Sequence, residues 1–120
     1  MNDQIISIRP FIGAKDFSTS RSFYTALGFQ EIITSSTMSY FKMGDFGFYL
    51  QDAFVKEWVD NTMLFLEVID LDSFRQAVLK KQLIEKFPKV RISQIQYNNW
   101  GNEFFVHDPS GILWHIGNFK

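Results

Sequence analysis

Apolar residues crowd "QIISIRPFI" at 4–12, where Ile6 and Ile8 alternate with Ser7 and Arg9, and this Ile-rich run predicts a strand ending beside Pro10 and Gly13. The spacing then lengthens. In "KDFSTSRSFYTALGF", Phe23 and Leu27 lie one helical turn apart on one face. Asp16 or Ser18 brings a short side-chain oxygen to the helix start, where free amide hydrogens need an acceptor. Gly28 stands where a left-handed cap ends a helix at low steric cost. Three β-prone segments follow: "FQEIITS" at 29–35, "MSYFKM" at 38–43 and "FGFYLQ" at 46–51. The breaks between them, Ser36-Thr37 and Gly44-Asp45, suit hairpins.

A polar connector at 52–61 carries Phe54, Val55, Trp58 and Val59, and then the pattern restarts. "TMLFLEVI" at 62–69 predicts a strand, and "DLDSFRQAVLKK" at 70–81 a helix with Leu71, Phe74 and Val78 on one face. Lys80 and Lys81 sit near its C-terminal end, where the helix dipole favours cations. "VRISQIQY" at 90–97, "NEFFVHD" at 102–108 and "ILWHIGN" at 112–118 predict three more strands, with Pro88 in the loop before them. The order is therefore βαβββ twice, an α+β class. It gives one domain over 1–120, with a first module at about 1–51, the connector at 52–61 and a second module at about 62–120. Residue echoes support a duplication: Phe11 aligns with Phe65, Asp16 with Asp70, Phe17 with Leu71, and "FYL" at 48–50 with "WHI" at 114–116.

Composition narrows the chemistry. Fourteen Phe and 18% aromatic residues exceed what a small core needs, so some rings are expected to line a cavity. Twelve basic residues against thirteen acidic ones leave no expectation of nucleic acid or an anionic membrane as partner. The chain has no cysteine, which excludes disulfides, thiolate zinc sites and cysteine nucleophiles. No apolar run approaches the roughly 20 residues of a membrane helix, and the expectation is a cytoplasmic protein. No Gly-rich phosphate loop, Ser/His/Asp arrangement or paired-carboxylate motif is present.

"KDFSTSRSFYTALGFQEI" after the first strand and "FFVHDPSGILWHI" near the end resemble the vicinal oxygen chelate superfamily: glyoxalase I, bleomycin-resistance proteins, extradiol dioxygenases and fosfomycin-resistance enzymes. The shared element order extends this likeness over nearly the whole chain. The resemblance implies a curved, cup-shaped mixed sheet with helices on its outer face, a ligand held in the cup, and a homodimer. It also implies that metal-binding members set His, Gln or Glu at four cup positions, which here fall on Arg9, Tyr49, Met63 and His115. Arginine has no lone pair to give, and methionine and neutral tyrosine are poor ligands for a hard cation. One imidazole does not hold a catalytic metal, so no metal and no other cofactor is expected.

Period-two alternation aims Ser7, Arg9 and Phe11, Tyr49 and Gln51, Met63, Phe65 and Glu67, and His115 into the cup. It sends Ile6, Ile8, Ile12, Phe48, Leu50, Leu64, Leu66, Val68, Trp114 and Ile116 under the helices. Arg9 and Glu67 read either as an ion pair that keeps the modules in register or as an anchor for a ligand anion. His115 reads as a core histidine satisfied by one hydrogen bond, a cup wall facing Tyr49, or a general base. The cup wall is the preferred reading. His107 reads as a solvent-facing strand end, the Asp108–Gly111 turn as structural, and Trp58 and Trp100 as clamp, lid or dimer contacts. The functional expectation is a metal-free small-molecule-binding protein holding a partly aromatic ligand. The alternative is a glyoxalase-like lyase, isomerase or dioxygenase with a divergent site.

Overall fold

Each βαβββ unit builds its own sheet. In a computed structural model that describes residues 2–120, strands β1 (Phe11–Gly13), β2 (Gln30–Ser35), β3 (Met38–Met43) and β4 (Phe46–Gln51) hydrogen-bond in the order β1-β4-β3-β2. The second sheet joins β5 (Met63–Glu67), β9 (Leu113–Phe119), β8 (Gly101–His107) and β6 (Arg91–Ile92) in that order, with β7 (Gln96–Tyr97) also paired to β8. In both, the first strand runs parallel to the last and the other pairs are antiparallel, so Phe11 lies opposite Tyr49 as Phe65 lies opposite His115. This is the α+β architecture of paired βαβββ units that the pattern predicts.

The two long helices start in the same way. Helix α1 (Phe17–Leu27) is capped by Asp16, whose carboxylate accepts from Thr19 N at 3.0 Å. Asp70 caps α3 (Leu71–Lys80) by accepting from Ser73 N at 3.1 Å. The caps' φ and ψ are −124° and 101° at Asp16 and −125° and 100° at Asp70, so the echo of these two residues is an echo of local structure. Two short helices were not predicted. Helix α2 (Lys56–Asp60) lies in the connector and buries Val59, and α4 (Leu83–Lys86) buries Leu83.

Helix-facing side chains make one continuous core. Ile12, Phe41, Phe48, Leu50, Phe104, Val106, Trp114 and Ile116 are buried, with Leu64, Leu66 and Val68 partly buried against them. Trp114 binds the units together: its ring lies 5.4 Å from Phe48, 5.7 Å from Phe29 and 5.9 Å from Tyr24. Edge and tilted contacts of this kind add to the area the rings bury. The Asp108–Gly111 turn is locked from inside. Asp108 Oδ1 accepts from the backbone N–H of Ser110, Gly111 and Ile112, and Oδ2 accepts from Tyr24 OH at 2.7 Å. The Tyr24 oxygen accepts in turn from Trp114 Nε1 at 2.9 Å. Burial raises the Asp108 carboxyl above its ordinary range although four donors pull the other way.

Two strand expectations are corrected. Residues 5–10 join no strand, and Ile6 and Ile8 are 95% and 90% exposed rather than packed under the helices. Pro10 explains where pairing stops: its carbonyl accepts from Tyr49 N at 2.9 Å, but it has no N–H to return to β4. The single strand expected at 90–97 is split into β6 and β7. Between them Ser93 meets Phe105 through both backbone and side chain, its N donating to Phe105 O and its Oγ accepting from Phe105 N. A hydroxyl standing in a backbone acceptor's place interrupts the ladder.

Candidate functional site

Each sheet turns its other face, the mixed one, away from the core. On the first sheet, Phe11 stacks on Tyr49 with ring centres 4.7 Å apart, and Tyr40 lies 5.0 Å from Tyr49. Arg9 closes this cluster. Its Nη1 donates to Tyr49 OH at 3.0 Å, its Nε donates to Ser7 Oγ at 3.2 Å, and its guanidinium lies 4.2 Å above the Tyr40 ring. Stacking on tyrosine suits the planar, weakly hydrated guanidinium. Gln51 ends β4 opposite Gly13 and Met38.

On the second sheet the rings gather at one end. Phe65 stacks on Phe119 at 5.2 Å, and Trp100 lies 6.3 Å from Phe65 and 5.7 Å from Phe119. All three are exposed. The His115 ring lies 6.2 Å from Phe65, nearly parallel to it, and meets the edge of Phe105 at 5.0 Å. Its Nδ1 is 2.8 Å from Glu103 Oε1, and its Nε2 is 3.4 Å from the sulfur of the exposed Met63. Glu103 is only 8% exposed, unusual for a carboxylate. Gly117 permits this crowding, since a Cβ there would lie 3.0 Å from Glu103 Cβ and 3.1 Å from Phe65 Cζ. A glycine in mid-strand marks just such a close approach.

Thus Arg9, Phe11 and Tyr49 form one cluster, and Met63, Phe65 and His115 form another. Among the described residues no hydrogen bond, ion pair or ring contact joins the two sets. Arg9 and Glu67 form no ion pair, because the arginine is engaged by tyrosines of its own sheet. Glu67 instead borders an apolar groove of about 350 Å³ at the seam, where Pro10, Phe46 and Gly47 face Leu64, Phe65 and Val68. Residue reasoning missed Tyr40 and Glu103. Both were within reach: counting pairs back from the Gly44-Asp45 turn sets Tyr40 opposite Tyr49, and counting back from the Asp108–Gly111 turn sets Phe105 opposite His115 and Glu103 opposite Gly117 on the same face. Nothing in "NEFFVHD" signals that the glutamate is buried.

The arrangement does not fit a metal centre of the kind the fold's metal-binding members carry. Of the four equivalent positions, Arg9 and Tyr49 bond to each other, Met63 offers a soft thioether, and His115 already shares one ring nitrogen with Glu103. Among the described residues no three His, Asp or Glu side chains come together as a cation would require. No helix among them is long and apolar enough to cross a membrane.

No protein-family model and no curated protein matches this sequence. Solved structures do match its shape. The bleomycin-binding protein of bleomycin-producing Streptomyces verticillus, crystallised with copper(II)-bleomycin, superposes with a TM-score of 0.80 at 21% identity over 97% of this chain and 98% of its own. The bleomycin resistance determinant encoded on transposon Tn5 gives 0.73 at 18% identity, covering 95% and 98%. The fosfomycin resistance protein FosX of Mesorhizobium loti gives 0.71 at 9% identity, covering 95% and 92%. This chain therefore shares the fold of these bleomycin-binding and fosfomycin-resistance proteins.

Proposed function

We propose that the protein binds a small, partly aromatic molecule without a metal, in the manner of the bleomycin-binding members of the fold, and works as a cytoplasmic homodimer. The observation that carries this reading is the group of exposed rings Phe65, Trp100 and Phe119 beside His115. Rings left in water at one place, with a polar group among them, have the character of a ligand platform. The binding surface comprises Arg9, Phe11, Tyr49 and Gln51 from the first sheet and Met63, Phe65, Glu67 and His115 from the second. Exposure of Ile6 and Ile8, together with two open mixed faces, supports a second copy as the cover that completes the cup.

The test is a titration of the purified chain with planar aromatic probes and with metal-free bleomycin, followed by quenching of tryptophan emission. Saturable binding is expected, and Trp100→Ala or Phe65→Ala should weaken it by about five- to tenfold, the worth of one stacking contact of about 1 kcal/mol. Stoichiometric Zn²⁺, Ni²⁺, Mn²⁺ or Fe²⁺ in the purified protein would overturn the metal-free reading. A second reading, a lyase, isomerase or dioxygenase with a divergent site, is favoured by the short contact between His115 Nδ1 and Glu103. A turnover screen with His115→Ala as control separates the two.

A further inference from the structure

His115 is held asymmetrically. Its Nδ1 faces a buried carboxylate oxygen at 2.8 Å, while Nε2 faces the exposed Met63 side chain. A carboxylate only accepts hydrogen bonds, so the ring nitrogen nearer to it must carry a proton. In a neutral imidazole Nε2 then bears a lone pair, and the Met63 sulfur 3.4 Å away, a weak acceptor with no hydrogen to give, leaves that lone pair for a donor from outside. Glu103 has no other side-chain hydrogen-bond partner among the described residues, so this one contact both holds the carboxylate and sets the ring. The rings of Phe65 and Phe105 flank the imidazole and limit its rotation. His107, the other histidine, has no carboxylate partner among the described residues.

We propose that Glu103 fixes His115 as the Nδ1–H tautomer, and that Nε2 selects ligands by accepting a hydrogen bond from an acidic O–H or N–H such as a phenol, enol or imide. This rests on the aromatic-binding reading and names the ligand class. His115 touches the ligand, and Glu103 is a positioning residue that acts through it. Should the bond progress to proton transfer, the O–H or N–H bond breaks, the Nε2–H bond forms, and the ligand anion lies beside an imidazolium whose charge Glu103 balances.

The first measurement is the ¹H–¹⁵N spectrum of the full-length chain labelled in histidine. A pyrrole-type Nδ1 and a pyridine-type Nε2 are expected for His115, and Glu103→Ala should return the ring to the Nε2–H form that free imidazole prefers. An Nε2–H or doubly protonated ring in the unaltered protein would overturn the proposal, and this result does not depend on the variant folding. The second measurement compares 2-naphthol with 2-methoxynaphthalene by calorimetry. About tenfold tighter binding of the naphthol is expected, the worth of one hydrogen bond, and Glu103→Ala should lose that preference. Equal binding of the pair defeats the tautomer proposal and leaves the aromatic site standing. Binding of neither defeats both.

Discussion

A buried hydroxyl between a carboxylate and an indole has more to lose than its own bond. Tyr24 OH donates to Asp108 and accepts from Trp114, so Tyr24→Phe would leave two buried polar groups short of a partner. We expect a loss of about 2 kcal/mol in urea unfolding at neutral pH. The same site sets an alkaline limit. Burial first, and the Asp108 charge second, raise the Tyr24 hydroxyl well above its ordinary value of 10.0. Below about pH 10 the folded and unfolded chains both keep this proton. Above it only the unfolded chain releases it, so stability falls as pH rises, and the fall should be shallower in Tyr24→Phe. At this scale the sequence is a partial guide. It marks Asp108 as a turn residue, but the partner that makes the turn costly to break lies 84 positions away.

Helix starts show how far an element is written in its own residues. Asp16 and Asp70 cap α1 and α3 through bonds only three residues long, so each acts within its own segment. Asp16→Ala and Asp70→Ala should each cost about 1 kcal/mol, measured by urea unfolding. Since the two caps share no partner, the double variant should lose the sum. Strands depend on more. Alternation predicts residues 4–12 as one strand, but only Phe11–Gly13 pair, because a strand exists where a neighbour accepts and returns hydrogen bonds and Pro10 returns none. Ser93 interrupts 90–97 in a comparable way, by a side-chain bond that alternation does not register.

For the whole molecule the question is what covers the open faces. Ile6 and Ile8 lie almost wholly in water, and burying such side chains against a second copy stabilises by about 1.5–3 kcal/mol each. If they belong to the proposed dimer contact, Ile6→Asp with Ile8→Asp should turn a dimer into a monomer in analytical ultracentrifugation at micromolar protein. The thermal midpoint should then lose its dependence on protein concentration. A variant that sediments as the unaltered protein does would remove this segment from the interface. The ring contacts of Trp114 with Phe29 and Phe48 lie on the helix-facing side and should be untouched by the double substitution.

Local physics determined the duplicated βαβββ plan, the starts of both long helices, the buried face of β4 and β9 and the poor ligand set at Arg9, Tyr49, Met63 and His115, because each depends on period or on a residue's own chemistry. Tertiary structure alone decided that Arg9 turns to Tyr40 and Tyr49 rather than to Glu67, that Glu103 is buried against His115, and that the mixed residues fall into two clusters. Those outcomes depend on which strands come to lie side by side and on what then covers each face, and alternation along one strand carries no record of either.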